Sequence, residues 1–138
     1  MGRILAIDYG QKRVGLAVTD ELQLIANALT TVRSDEIINF LKDYLKKEEV
    51  DCIVVGYPLQ MNNTSSQALK YIEPFIRSLS KLFPQTPIKK VDERFTSKMA
   101  FQAMIDAGLK KKDRQNKELV DSISATLILQ SFLEQRKK

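Results

Sequence analysis

Three acids, Asp8, Glu93 and Asp121, stand at positions from which their carboxylates could converge on one mouth of the fold. Asp8 closes the apolar run Ile4-Leu5-Ala6-Ile7, an unbroken stretch expected of a central strand covered on both faces. Glu93 comes just after a second β-prone run, Ile88 to Val91, and Asp121 falls in the first turns of an apolar C-terminal helix. Its i+4 and i+7 neighbours are Ala125 and Ile128, which aims Asp121 at the sheet. A charge at such places is costly unless it is solvated or paired. Carboxylates that share one mouth repel each other, and divalent cations relieve the repulsion. A set of this kind can hold two Mg²⁺ ions roughly 4 Å apart, one activating a water and one stabilising the leaving oxygen of a phosphodiester. Each acid also has an ordinary reading: Asp8 shaping the Tyr9-Gly10 turn, Glu93 paired with Arg94 or Lys98, Asp121 complementing a helix dipole. Their topologically compatible positions favour the metal site. Asp92 and Asp20 are lesser candidates, and strand alternation turns Asp92 to the sheet face opposite Glu93.

What the chain lacks narrows the chemistry. It has no histidine, which excludes Ser-His-Asp and Cys-His nucleophile systems and every histidine-bearing zinc site. Its single cysteine, Cys52, lies in the apolar run Cys52-Ile53-Val54-Val55 and reads as a core residue. Any metal must therefore be held by oxygen, which favours Mg²⁺ or Mn²⁺. At 138 residues, 43% hydrophobic and 28% charged, the chain is expected to form one domain, residues 1–138. No apolar run approaches the roughly 20 residues that span a bilayer, and Met1-Gly2-Arg3 leads directly into a strand. A cytoplasmic protein with no membrane partner is expected. The net charge of +5 tilts the choice of partner toward an anion.

The elements that must position the acids follow from periodicity. A glycine-containing turn joins the first strand to a second, Val14 to Thr19, and Asn27 to Val32 completes an antiparallel meander. Ser34 can cap an amphipathic helix carrying Ile37, Ile38, Leu41, Tyr44 and Leu45. Asp51 opens the strand Cys52 to Val55, which Pro58 ends. A second helix carries Leu69, Ile72, Phe75, Ile76, Leu79, Leu82 and Phe83, and Pro74 should kink or break it. After the strand Ile88 to Val91, Thr96 or Ser97 can start a third helix that stops at Gly108. Leu109 to Lys117 is a basic loop, and the last helix runs from Glu118 to about Arg136, with Gln135 to Lys138 frayed. Hairpins followed by β-α-β crossovers give an α/β fold. The expected sheet is five-stranded and mixed, three antiparallel strands then two parallel, with helices on both faces. Parallel strands present their carboxyl ends along one edge, where open α/β folds bind ligands, and Asp8 and Glu93 can both reach it.

Several stretches together resemble the YqgF family of Holliday-junction-resolvase-like proteins, also described as pre-16S rRNA nucleases, in the RNase H-like superfamily. They are Ile7-Asp8-Tyr9-Gly10, Arg13-Val14-Gly15-Leu16-Ala17 with Asp20, Val55-Gly56-Tyr57-Pro58-Leu59, Asp92-Glu93-Arg94-Phe95-Thr96, and Asp121-Ser122-Ile123-Ser124-Ala125 with Ile128-Leu129-Gln130. The resemblance runs nearly end to end. It implies an RNase H-like fold and makes Asp8, Glu93 and Asp121 the catalytic, metal-binding acids. It also implies a role in maturing the 5′ end of small-subunit rRNA in the cytoplasm. The chain departs from the family pattern at Asn63, where glycine is usual, and at Ser124, where alanine is usual. Asn tolerates a left-handed turn and Ser is close to Ala in size, so both are compatible with the fold.

Basic residues flank the proposed site: Lys12 and Arg13 in the first turn, Arg94 and Lys98 after Glu93, and Lys110, Lys111, Lys112, Arg114 and Lys117 before the Asp121 helix. On the rim they would neutralise phosphates and position a strand of RNA, or of structured DNA, over the metals. Tyr9 and Tyr57 could stack a base, although packing is the simpler role. Three rival readings remain. Asp-x-Gly with Gly-x-Ala-x-x-Asp resembles the first phosphate loop of actin-like ATPases, which clamp ATP between two domains where this chain has one. A non-catalytic module would use the same surface to hold rRNA or a protein partner during ribosome assembly, with ribosomal precursor particles as its setting, and would not need the acids. A junction resolvase would cut branched DNA, generally as a dimer. Monomer and homodimer both remain open.

Overall fold

The computed structural model describes residues 2–57, 65–92 and 117–136, with side chains for 2–57, 69–91 and 123–136. The first strand, β1 (Arg3–Tyr9), pairs antiparallel with β2 (Arg13–Thr19), which pairs antiparallel with β3 (Ala26–Arg33). Helix α1 (Ile37–Lys47) then carries the chain to β4 (Val50–Tyr57), which lies parallel to β1. Helix α2 (Ser65–Leu82) crosses to β5 (Ile88–Asp92), parallel to β4, and α3 (Lys117–Arg136) closes the described chain. The order across the sheet is β3-β2-β1-β4-β5. This is the expected mixed sheet, with β1 at its centre because its apolar run needs cover on both sides.

Strand alternation sorts the core into two layers. Leu5 and Ile7 of β1 join Val14, Leu16, Ile53 and Val55 beneath α1 and α2, which contribute Ile37, Leu41, Ile72, Phe75, Ile76 and Leu79. Ile4 and Ala6 face the other way and join Ala17, Val54 and Val91 beneath Ala125, Ile128, Leu129 and Leu133 of α3. The small residues Ala6, Ala17 and Ala125 let α3 lie close to the sheet, where it packs across β1, β2 and β3. Cys52 is half-buried beside this second layer, and desolvation pushes its thiol pKa up, as suits a packing residue.

Local chemistry corrects several expectations. Ser34 does not cap α1: its hydroxyl donates to the Gln11 carbonyl, and the N-terminal cap position is Glu36, with no side-chain cap. Pro74 does not break α2, which continues from Ser65 to Leu82 because Phe75, Ile76 and Leu79 beyond the proline are buried against the sheet. The last helix is not frayed at Gln135 and Arg136. It runs through Arg136, whose guanidinium donates to Gln23 Oε1 at 2.8 Å. β4 extends to Tyr57, which pairs with Asp92. Pro58, the Thr96–Gly108 helix and the Leu109–Asn116 loop lie outside the described residues.

Candidate metal and nucleic-acid site

Asp8 stands one residue before the end of β1, at the carboxyl edge of the sheet, and is partly exposed where Ile4 to Ile7 are fully buried. Alternation places it on the α3 side, in line with Ile4 and Ala6. Its cross-strand partner on β2 is Gly15, and on the other flank β4 presents Gly56 immediately after Val55, the partner of Ile7. Neither flank carries a side chain. Gly15 and Gly56 bring only backbone alongside the Asp8 position, and the sequence reading did not single out these glycines for that purpose. Their signal is the repeated pattern of apolar run, acid or glycine, then turn.

The turn after Asp8 is tightly closed. Gly10 N–H donates to the Arg13 carbonyl at 3.0 Å, and Ser34 ties the outside of the turn through its N–H to the Lys12 carbonyl at 3.0 Å. A Cβ on Gly10 would stand 2.7 Å from that Arg13 oxygen, so glycine is required by close approach. This fixes Lys12 and Arg13, the former exposed and the latter partly so, on the same rim as Asp8.

Asp121 lies in α3 one turn before Ala125, a residue buried against the Asp8 face. The Arg136–Gln23 hydrogen bond fixes the direction of α3, because Gln23 also donates to the Gly2 carbonyl beside the start of β1. The helix therefore runs antiparallel to β1. From Arg136 back to Asp121 is about 22 Å at ~1.5 Å per residue, and Arg3 to Asp8 is about 16 Å at ~3.3 Å per residue. Asp121 thus belongs to the helix end that approaches the carboxyl edge. The parallel register Ile7–Val55–Lys90 ends β5 at Asp92 on that same edge. The Asp121 and Asp92 side chains, and Glu93, Arg94, Lys98, Lys110, Lys111, Lys112 and Arg114, fall outside the description, as does the side chain of Lys117. Among the described residues no group of three acid, cysteine or histidine side chains gathers to hold a metal.

Asp20 does not belong to this site. It stands at the opposite end of β2, where its carboxylate accepts the backbone N–H groups of Ile25 and Leu24 at 2.9 Å each and of Leu22 at 3.2 Å. Those bonds, led by that of Ile25, hold its pKa below the usual carboxylate range. The two tyrosines have packing roles. Tyr9 stacks on Phe75 with ring centroids 4.2 Å apart, and the Tyr57 hydroxyl donates to Glu73 while Lys90 Nζ sits 4.4 Å from the centre of its ring. The bond from Tyr57 lowers the Glu73 pKa and raises that of Tyr57, as a phenol donating to a carboxylate must. This Tyr57–Glu73–Lys90 group was not legible in sequence, because its members are 16 and 17 residues apart on three elements.

Comparison with known proteins supplies the remaining observation. A family model described as "RuvX: Holliday junction resolvase" matches residues 2–135. The chain belongs to the RuvX family. It is 61% identical over 137 residues to a Bacteroides thetaiotaomicron protein named "Putative pre-16S rRNA nuclease", with 99% of each chain covered. A Flavobacterium psychrophilum protein of the same name is 58% identical over 136 residues, again with 99% of each covered. Among solved structures, fowlpox virus resolvase bound to Holliday junction DNA matches with a TM-score of 0.62 at 15% identity, covering 99% of both chains. T. thermophilus RuvC in complex with a Holliday junction matches at 0.59 and 16% identity, covering 99% of this chain and 96% of that one. At such identities these two show a shared RNase H-like fold. RuvX membership agrees with the end-to-end YqgF resemblance read from the motifs.

Proposed function

We propose that the chain is a divalent-metal-dependent nuclease that hydrolyses phosphodiester bonds in the 5′-end maturation of pre-16S rRNA. The observation that carries this is Asp8: a partly exposed carboxylate at the end of an otherwise buried central strand, flanked by Gly15 and the position of Gly56. The full-length relatives named for pre-16S rRNA point to the substrate. In this reading Asp8, Glu93 and Asp121 hold two Mg²⁺ or Mn²⁺ ions, an all-oxygen donor set that suits those hard cations. When bound, the metals supply an activated water and charge neutralisation at the scissile phosphate. The protein's own contribution is positional. Gly10 and Ser34 hold Lys12 and Arg13 at the rim, where they bind flanking phosphates and set the strand across the Asp8 edge. Arg94, Lys98, Lys110, Lys111, Lys112, Arg114 and Lys117 extend that basic rim along the rest of the RNA. The site works in the cytoplasm, on free rRNA or within ribosomal precursor particles.

The test compares wild type with Asp8→Asn on an RNA spanning the 5′ end of 16S, with Mg²⁺ or Mn²⁺ supplied. Wild type cuts, Asp8→Asn loses at least about 10²-fold in rate, and binding is retained. Equal cleavage by both proteins would assign the activity elsewhere. A junction DNA in the same assay distinguishes rRNA processing from the resolvase activity in the family description.

A further inference from the structure

Arg13 of β2 and Arg33 of β3 stand directly opposite each other on the antiparallel ladder. The next pair along, Val14 and Val32, packs beneath α1 and α2. Alternation therefore turns both arginines to the other face of the sheet, the α3 side, on which Asp8 lies. Asp8 pairs with Gly15, two residues along β2 from Arg13. At ~4.8 Å between strands and ~3.4 Å per residue, the backbone of Arg13 is about 8 Å from that of Asp8, and the backbone of Arg33 about 12 Å. The two arginines form a step from Asp8 toward β3, the outer strand on that side.

The backbone beneath this pair is fixed and the Arg33 side chain is lightly held. Ser34, next to Arg33, donates its N–H to the Lys12 carbonyl and its hydroxyl to the Gln11 carbonyl, which joins the end of β3 to the turn that carries Arg13. Arg33 Nη2 donates to Asp35 Oδ2 at 2.9 Å, and the two side chains are 73% and 63% exposed. A surface ion pair of that kind contributes little, so a better anion displaces it. Like charges directly opposite on a ladder cost stability, and an anion shared between them offsets that cost.

We propose that Arg13 and Arg33 form a two-armed clamp for a backbone phosphate of the RNA, next to the phosphate that is cut, and that Asp35 holds Arg33 until the RNA arrives. This deepens the nuclease reading and rests on it. Bulk charge does not make the choice: the described charged groups at this end are Lys12, Arg13 and Arg33 against Asp8, Asp35 and Glu36. Placement does. Each guanidinium is a planar fork of donors that matches phosphate oxygens, and two forks on one rung can grip the same group from two sides. The clamp sets the direction of the strand, which leaves Asp8 over β2 and β3. Arg33 is absent from the basic rim read in the sequence because only the register of β2 with β3 brings it beside Arg13.

The experiment measures binding of an RNA spanning the 5′ end of 16S across a salt series, without divalent metal so that no strand is cut. The proteins are wild type, Arg33→Gln, Arg33→Lys, Asp35→Asn, the double variant of Arg33→Gln with Asp35→Asn, and Lys46→Gln. Lys46 is exposed in the last turn of α1, whose cap residue Glu48 bonds Arg3 at the start of β1, so Lys46→Gln removes the same charge from the opposite end of the sheet. Arg33→Gln should weaken binding about five- to tenfold and lower the salt slope by about 0.7 to 1, with the thermal midpoint of wild type. Arg33→Lys should keep the slope and recover only part of the affinity. Asp35→Asn should tighten binding about two- to threefold, and that gain should require Arg33. Lys46→Gln should bind within about twofold of wild type. The clamp is overturned if Arg33→Gln binds as wild type does, if Lys46→Gln loses as much, or if the loss in Arg33→Gln tracks a lowered midpoint. A gain from Asp35→Asn that persists in the double variant overturns the role of Asp35. The nuclease reading fails separately, if wild type binds with this dependence on Arg33 yet does not cut when metal is supplied.

Discussion

Replacing Gly10 by alanine tests whether the turn after Asp8 is held as closely as its geometry demands. The added methyl would stand 2.7 Å from the Arg13 carbonyl oxygen, inside any normal carbon–oxygen contact. That oxygen cannot easily retreat, because it accepts the Gly10 N–H at 3.0 Å and Arg13 is paired with Arg33 on β3. Opening the turn loses one hydrogen bond, about 1 kcal/mol, and adds backbone strain of roughly 1–3 kcal/mol. The smaller unfolded-state entropy of alanine offsets about 0.4–1 kcal/mol. A net loss of about 2 kcal/mol follows, or a midpoint lower by roughly 6–8 °C for a chain of this size. Calorimetry, together with urea unfolding to check that the m-value is unchanged, measures it. Cleavage should fall further than stability requires at a temperature where the variant is still folded, since Lys12 and Arg13 ride on the turn. A midpoint within about 1 °C of wild type would refute the reasoning.

Two further substitutions probe other parts of the account. The Ser124 hydroxyl is buried with no hydrogen-bond partner among the described residues, so Ser124→Ala should stabilise the protein by about 1 kcal/mol in denaturant titrations; destabilisation would reveal a partner. Asp20 holds a lowered pKa through the N–H groups of Ile25 and Leu24. Its contribution is complete above the ordinary Asp pKa of about 4 and is lost as pH falls through the folded value. Asp20→Ala should therefore melt below wild type at pH 7, with the gap narrowing as pH falls below the ordinary Asp pKa. A gap independent of pH would contradict the cap.

The strands were legible because burial on two faces leaves an unmistakable apolar run, as in Ile4 to Ile7 and Cys52 to Val55. The mixed five-stranded sheet, three antiparallel strands then two parallel with helices on both faces, followed from connection rules, whereas the order β3-β2-β1-β4-β5 is supplied by the structure. Side-chain bonding was much less legible. Asp20 and Asp8 look alike in sequence, each an acid closing an apolar run, yet Asp20 caps its own turn through three backbone N–H groups while Asp8 lies within β1 opposite Gly15. Ser34 has the composition of a helix cap, but the Gln11 carbonyl of a distant turn takes its proton. Arg136 reads as a frayed end because its partner, Gln23, is 113 residues away.

The central claim is that Asp8, Glu93 and Asp121 act on the same bound cations. Mn²⁺ titration followed by electron paramagnetic resonance tests it directly, using wild type and the separate variants Asp8→Asn, Glu93→Gln and Asp121→Asn. The account predicts that wild type binds Mn²⁺ and that each variant weakens this binding by at least about tenfold, with its fold intact. Wild-type Mn²⁺ affinity and stoichiometry in any one of the three would remove that acid from the site and contradict the claim.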